Sequence, residues 1–358
     1  MPTKKELILE VKKMYPYYTN INLLNKNILS YLINKQCKNN ISILNERNSC
    51  YIDSLLVALF NNNNLYIKDV FLNSKLKDTD PELMKLGEEI RSELISIYNI
   101  IQNIHKNKKQ NYCKNLRKML NDYNKRKHPL ERINWTSEQL EPFDILVKLN
   151  EIFNIDEKMS LEINSKKYCT NSKKKILLKK DLIEVADDTI KNDYTIIIPP
   201  GKLLSYKDKD FFIKDIFPIN TDETNFDIFN LWKPFGAFTD GFARKIEKTT
   251  YLSGLFAFFH INRNLVKSDG SKIKVYNKII PSLKLKMKKN KLNLYLRSMI
   301  IHHGEYSGGH YTSLYECKGE WYEYNDLAST VQLIGDFNDV CKYNKSFYLK
   351  NCTNLIYY

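Results

Sequence analysis

Two stretches with different hydrophobic periods restrict what this chain can fold into. From residue 41 to about 153 the apolar residues recur at helical spacing. The clearest case is Ile52, Leu55, Leu56, Leu59 and Phe60, placed at i, i+3, i+4, i+7 and i+8. The same spacing predicts helices over 50–60, 82–105, 110–124 and 136–153. Beyond residue 254 the pattern is that of a sheet, with strands predicted over 255–261, 272–275, 292–302, 311–317, 321–324 and 346–349. Asp269-Gly270 and Lys318-Gly319 suit hairpin turns. Between the two lie short runs of strand character, Leu182-Ile183-Glu184-Val185 and Tyr194-Thr195-Ile196-Ile197-Ile198, closed by Pro199-Pro200-Gly201. The expected class is α+β: a helical lobe, a strand-rich insertion and a sheet lobe enclosing a cleft, with no internal repeat.

Bulk composition narrows the setting. At 358 residues and 43% hydrophobic content the chain can bury a substantial core. No segment approaches eighteen consecutive apolar residues, which argues against a membrane span. Met1-Pro2-Thr3-Lys4-Lys5-Glu6 runs directly into an amphipathic pattern without a secretory hydrophobic region. Seven cysteines with no C-x-x-C pair argue against a disulfide framework and a structural zinc site. They suit an intracellular protein of a reducing compartment, cytoplasmic or nuclear, with no cofactor. The net charge of +15 is mostly lysine, concentrated over 106–127, 166–180 and 284–291. A solvated surface explains these runs, because none has the arginine and glycine spacing of a nucleic-acid groove reader. The bias toward Lys, Asn, Ile and Tyr is that of an AT-rich genome, as in a large DNA virus or a protist.

Residues 1–40 predict a small separate unit. Leu7, Val11 and Met14 share one helix face; Leu23, Leu24, Ile28, Tyr31 and Leu32 share another, with Pro16 to Asn20 breaking the two apart. The shape is similar to helix–extension–helix modules, some of which bind nucleic acid. A packing appendage or partner-docking unit is the alternative.

Four side chains stand out chemically. Cys50 opens the 50–60 helix, where the helix dipole and a neighbouring imidazolium lower a thiol toward about 3.5–7.5. Asn45 lies in the loop that delivers it, placed to donate to an oxyanion. His310 follows Gly308-Gly309 and precedes a strand, and Asn325 comes after the next one, positioned to accept from the ring Nδ1–H. A thiol, an imidazole and an amide are the parts of a cysteine peptidase. His302 and His303 lie close by, but no convergent set of ligands accompanies them, so no metal is expected. Taken singly, each residue has a bland reading: a buried structural cysteine, a turn asparagine, a strand histidine.

Their order is more specific. Asn45-x-Arg47-Asn48-Ser49-Cys50-Tyr51-Ile52-Asp53-Ser54-Leu55-Leu56 resembles N-x-G-N-T-C-Y-M-N-S-x-L, the cysteine box of the ubiquitin-specific proteases. His302-His303-Gly304, Gly308-Gly309-His310-Tyr311-Thr312 and Trp321-Tyr322-Glu323-Tyr324-Asn325-Asp326 resemble that family's histidine box. Gln139-Leu140-Glu141-Pro142-Phe143-Asp144-Ile145-Leu146 is similar to its Q-Q-D-A-x-E-F-L helix. Phe256 to Arg263 and Ile279 to Leu285 resemble its strand ending in K-R-F and its F-P-x-x-L-x-L. The blocks are colinear from about 41 to 350.

The resemblance implies a papain-like thumb–palm–fingers fold, with a thumb over 41–153, reduced fingers without zinc over 154–254 and a palm over 255–358. It implies a monomeric deubiquitinase with Cys50 as nucleophile, His310 as base and then acid, Asn325 as orienter and Asn45 as oxyanion donor. Glu141 and Asp144 would grip the basic tail of ubiquitin, with Gly309, Tyr311 and Asp326 along its path. Departures from the pattern are Arg47 for glycine, Asp53 for asparagine, and the exchanged acids Glu141 and Asp144. A protease for another ubiquitin-like modifier and a ubiquitin-binding pseudoenzyme remain open, as does nucleic-acid binding through residues 1–40.

Overall fold

The structure, a computed structural model, describes residues 2–14, 22, 25–27, 29–30, 37, 41, 43–61, 65–102, 112–155, 161–170, 183–193, 195–198, 200–204, 211–212, 243–252, 256–286, 293–306, 308–328 and 331–358. Most of the expected second helix of the N-terminal unit, the break at Pro16 and parts of the three lysine runs lie outside them. Helix α1 (Lys4–Met14) is followed by α2 (Cys50–Phe60), α3 (Leu65–Leu72), α4 (Pro81–Ile101), α5 (Tyr112–Lys127) and α6 (Pro142–Ile152). Next come β1 (Leu161–Thr170), β2 (Ile183–Asp193), β3 (Thr195–Ile198), α7 (Pro200–Leu204), β4 (Phe211–Phe212) and β5 (Ala243–Leu252). The C-terminal part holds β6 (Ala257–Ile261), β7 (Asn264–Val266), β8 (Lys272–Lys274), β9 (Ile279–Ile280), β10 (Lys284–Lys286), β11 (Asn293–Glu305), β12 (Gly308–Cys317), β13 (Glu320–Tyr324), β14 (Gln332–Gly335), α8 (Phe337–Asn351) and β15 (Cys352–Tyr357).

Helix boundaries follow local chemistry. Asp80 caps α4, its carboxylate accepting from the N–H groups of Glu82 at 2.9 Å and Leu83 at 3.0 Å, and Pro81 fills the first turn, where its missing N–H costs nothing. The expected helix from residue 136 begins only at Pro142, because the Asp144 carboxylate accepts from the Glu141 N–H at 2.9 Å and fixes the start there. Helix α2 departs most from its expected amphipathic form. All eleven of its residues are buried, including Asp53 and Ser54, so it is a central helix and not a surface one.

The main sheet has the order β14-β13-β12-β11-β15-β6-β3, with β10 also paired to β11; only β3 and β6 run parallel. Alternation along its strands divides two cores. Phe258, Ile300, Tyr311, Tyr315, Tyr322, Tyr324 and Ile356 face α2 and the other helices. Phe259, Met299, Ile301, Leu314, Trp321, Leu355 and Tyr357 point the opposite way, beneath Val340, Tyr348 and Leu349 of α8. Both faces are therefore covered. Polar ties join α2 to β11: Ser298 Oγ donates to the Ala58 carbonyl at 2.7 Å, and Asn61 Nδ2 donates to Ser298 Oγ at 3.3 Å. Strands β1, β2 and β5 form a separate three-stranded sheet.

Both expected hairpin turns occur. Gly270 adopts φ 79° between β7 and β8, and Lys318 (φ 57°) with Gly319 (φ 84°) makes the left-handed pair that joins β12 to β13. The expected strand over 346–349 instead lies within α8, which is interrupted by non-helical backbone at Tyr343, Asn344, Lys345 and Ser346. The strand there is β15, slotted between β11 and β6 with every residue buried. The expectation of unpaired cysteines also fails at one place. Cys37 and Cys317 are disulfide-bonded, with Cα atoms 5.7 Å apart across a separation of 280 residues. Spacing along the chain carries no signal for a pair that only the fold brings together.

Arg263, at the end of the β6 segment, is a buried hub. Its guanidinium donates to the carbonyls of Cys352 (2.7 Å), Val275 (2.8 Å), Asn277 (3.0 Å) and Leu349 (2.9 Å). Arg263→Ala leaves four carbonyls without that donor, and a loss of about 3 kcal/mol or more in a urea melt is expected. A loss under about 1 kcal/mol would show that water replaces the fork.

Candidate active site

The first turn of α2 is held by Ser49, whose carbonyl accepts from the N–H groups of Ile52 and Asp53, both at 3.0 Å. Cys50 lies at this end, 3% exposed. The backbone N–H groups of Tyr311, on β12, and of Tyr51 act on its sulfur in favour of the charged form. The expected low thiol pKa is not found. Burial pushes Cys50 up to about 11, and the negative charges of Asp326 and Asp53 add to this. Loss of water around the sulfur outweighs the helix dipole, so the resting group is a neutral thiol.

His310 directly precedes Tyr311, so the strand that touches the sulfur also carries the imidazole. The ring uses Nε2 toward Asn325, not the expected Nδ1: Nε2 donates to Asn325 Oδ1 at 2.9 Å and lies 3.3 Å from Asp326 Oδ1. Asn325 Oδ1 also accepts from the Leu327 N–H at 3.0 Å, which fixes the amide. That geometry leaves Nδ1 as the nitrogen free to serve the thiol. Among the described residues, no hydrogen bond joins the Cys50 sulfur to the His310 ring. Resting sites commonly tighten only once substrate is bound.

Asn45 is tied to the opposite lobe. Its Nδ2 donates to Asp326 Oδ2 at 2.8 Å, and its backbone N–H donates to the Asp326 carbonyl at 3.3 Å. Arg47 and Asn48, between Asn45 and Cys50, have φ of 43° and 49°, the left-handed region that favours glycine. Arg117 of α5, which sequence reading missed, braces this turn. Its buried guanidinium donates to the carbonyls of Glu46 and Arg47 (both 2.9 Å), Trp135 (2.8 Å) and Thr136 (2.6 Å). Nothing in the local sequence marks it, because each of its acceptors is a backbone carbonyl.

Glycines shape the other wall. A Cβ on Gly309 would collide with the His303 carbonyl and the His302 ring, and one on Gly304 (φ 126°) would reach the Gly308 carbonyl at 2.6 Å. Gln139 Nε2 donates to the Gly309 carbonyl at 2.5 Å, bridging the loop before α6 to the strand of His310. Tyr311 is buried, its ring centred 4.6 Å from that of His302. His302 and His303 are both pushed down to about 4 by burial, and His303 Nε2 pairs with Thr312 Oγ1 at 2.7 Å. Among the described residues there is no cluster of three or more side chains able to hold a metal ion. Nor is any helix there long and apolar enough to cross a membrane.

Glu141 and Asp144 lie at the head of α6. Glu141 accepts from Asn264 Nδ2 at 3.0 Å and sits 3.6 Å from the ring of His260, which stacks on Phe143. Burial, then the charge of Asp144, pushes Glu141 up to about 7, and burial raises Asp144 also.

A family model described as ubiquitin carboxyl-terminal hydrolase matches residues 41–335. The chain belongs to that family. It is a cysteine-type deubiquitinating hydrolase with the α+β papain-like fold of the ubiquitin-specific proteases. Among curated proteins, none matches the sequence. Among solved structures, a chain of the SAGA DUB module Ubp8/Sgf11/Sus1/Sgf73 bound to monoubiquitin, Ubp8 carrying a cysteine-to-alanine substitution, is similar with a TM-score of 0.54 at 15% identity. The match covers 95% of this chain and 76% of that one. The same module bound to ubiquitin aldehyde matches with a TM-score of 0.55 at 15% identity, over the same shares.

Arg47→Gly removes a left-handed side chain costing roughly 1–2 kcal/mol but frees the unfolded backbone. A net gain of up to about 1 kcal/mol is expected, read as a higher Tm. A lower Tm would mean that contacts of the arginine side chain outweigh its backbone strain.

Proposed function

We propose that this deubiquitinase cleaves the bond after the C-terminal glycine of ubiquitin with a Cys50–His310–Asn325 triad. The observation that carries this reading is the shared strand. The Tyr311 N–H rests on the Cys50 sulfur while the adjacent His310 ring is held by Asn325. The sulfur attacks the glycine carbonyl as its proton passes to His310 Nδ1. The protonated ring then gives that proton to the leaving lysine amine, and a thioester remains. Water, deprotonated by His310, attacks the thioester and releases the ubiquitin carboxylate and the thiol. Asn45 Nδ2, together with the N–H groups at the head of α2, stabilises the oxyanion; substrate binding must draw that amide partly from Asp326. Ubiquitin as partner is supported by the two similar modules, whose chains are solved with monoubiquitin and ubiquitin aldehyde.

In this reading residues 41–153 form the thumb, 154–254 the fingers and 255–358 the palm, with 1–40 as an appended module. Glu141 and Asp144 meet the arginines of the ubiquitin tail. Gly309 leaves room only for side-chain-free residues, beside Tyr311 and Asp326. The neutral thiol favours one second reading, a ubiquitin binder with little turnover.

Incubation with a ubiquitin C-terminal fluorogenic amide and an electrophilic ubiquitin probe decides between them. Turnover and an adduct on Cys50 are expected, with Cys50→Ala losing both but still binding ubiquitin. Folded protein that binds without turnover or adduct supports the second reading, and reaction only with another modifier's probe redirects the specificity.

Two pH effects follow from the site. With Cys50 at about 11, alkylation of the resting thiol by iodoacetamide should rise about tenfold per pH unit between 7 and 10. A rate already level at neutral pH would instead indicate a preformed thiolate. Glu141, at about 7, gains its charge as pH rises from 6 to 8, so KM for ubiquitin substrates should fall several-fold across that range. Glu141→Gln should flatten this dependence; an unchanged profile would remove Glu141 from the tail-binding role.

A further inference from the structure

Beneath the His310–Asn325 pair lies a cluster that the cleavage steps leave unused. Asp53 projects from α2, wholly buried, with Oδ2 accepting from Ser49 Oγ at 2.6 Å. Its Oδ1 has no hydrogen-bond partner, and neither does Oδ1 of the buried Asp326. Of the charged groups around Asp53, the Asp326 carboxyl acts on it most strongly. Two ionised carboxyls cannot share a dry pocket without a cation between them, whereas one proton there supplies the missing donor.

Among the described residues, no cation acts on Asp53 as a partner. At the head of α2 its neighbours are Ser49, just before the helix, Cys50 and Tyr51; from α5, the Cys113 thiol; from β13, Tyr324, whose hydroxyl is already given to the Ile43 carbonyl. The guanidinium of Arg117 is spent on four backbone carbonyls. His310 lies 3.3 Å from Asp326 Oδ1 and serves that acid alone. Asn45 donates to the other Asp326 oxygen.

We propose that Asp53 and Asp326 hold a single proton between them, and that this proton fixes Asp326 where it orients both Asn45 and the His310 ring. Asp53 is thereby a positioning residue that makes turnover sensitive to alkaline pH. This rests on the triad reading given above. Burial, with the charge of Asp326 adding to it, lifts the Asp53 carboxyl well above the ordinary carboxylate range, in keeping with a retained proton. When the proton leaves, two like charges repel in a water-poor site. Asp326 then shifts, and the amide and imidazole that depend on it lose their alignment.

The first test reads the proton itself. Infrared spectra of the whole protein carrying carboxyl-13C aspartate should show an isotope-shifted protonated-carboxyl band at pH 7 that fades at higher pH. Its absence at pH 7 overturns the proposal, whether or not the protein cleaves ubiquitin. The same band kept in Asp144→Ala, whose carboxyl burial also raises, and present in protein that cleaves nothing sustains the shared proton and sinks the triad reading instead. Kinetics then test the positioning role. Asp53→Asn supplies a permanent N–H donor and should abolish an alkaline fall in kcat that the natural protein shows. Asp53→Ala supplies none and should lower kcat tenfold or more at every pH, with KM changed less than threefold. Superimposable pH profiles for the natural protein and Asp53→Asn overturn the role; if either variant fails to fold, the infrared result on the natural protein still decides.

Discussion

The seating of α2 against β12 is the contact on which the site depends. The helix carries the thiol at its first turn and is buried along its entire length, so it can occupy only one place between the helices and the sheet. The strand meets it with the Tyr311 N–H on the sulfur and presents His310 one residue earlier. Because the sheet is covered on both faces, by the helices on one side and α8 on the other, β12 has little freedom to shift in register. The positions of sulfur and imidazole are thus fixed by core packing, with few polar contacts of their own.

Packing of this kind has an electrostatic consequence. Water is excluded from the thiol, and the same exclusion raises Asp53 and depresses His302 and His303. A helix N-terminus offers a thiolate at most a few hydrogen-bond donors, and here desolvation exceeds that benefit. The Cys50 thiol is therefore held in its protonated form. Backbone carbonyls near the site are held by cationic forks, Arg117 under the approach loop and Arg263 under the sheet edge. These forks let irregular segments stay ordered without regular secondary structure.

Much of the fold was legible in the chain. Helix α2 was expected with the bounds it has, α4 and α5 within a few residues, and most strands of the main sheet from their alternation. The misses have two separate causes. β15 lacks alternation because it is buried on both faces, so its run of residues carries no period-two signal, and the strand pattern falls instead on the adjoining 346–349 segment. The late start of α6 depended on a cap at Glu141 that a purely apolar pattern passes over.

For the site, residue identity and order determined the candidates: a cysteine at a helix start, a histidine after paired glycines, an asparagine one strand on. Those are properties of short segments, and short segments are what a sequence displays. Tertiary structure alone decided which ring nitrogen meets Asn325, that Asn45 leans on Asp326, that Arg117 braces a left-handed Arg47, and that Cys37 reaches Cys317. It also reversed the expected direction of the thiol pKa. Each of these depends on distances between residues far apart in the chain and on how completely water is removed from between them, quantities that no local pattern encodes.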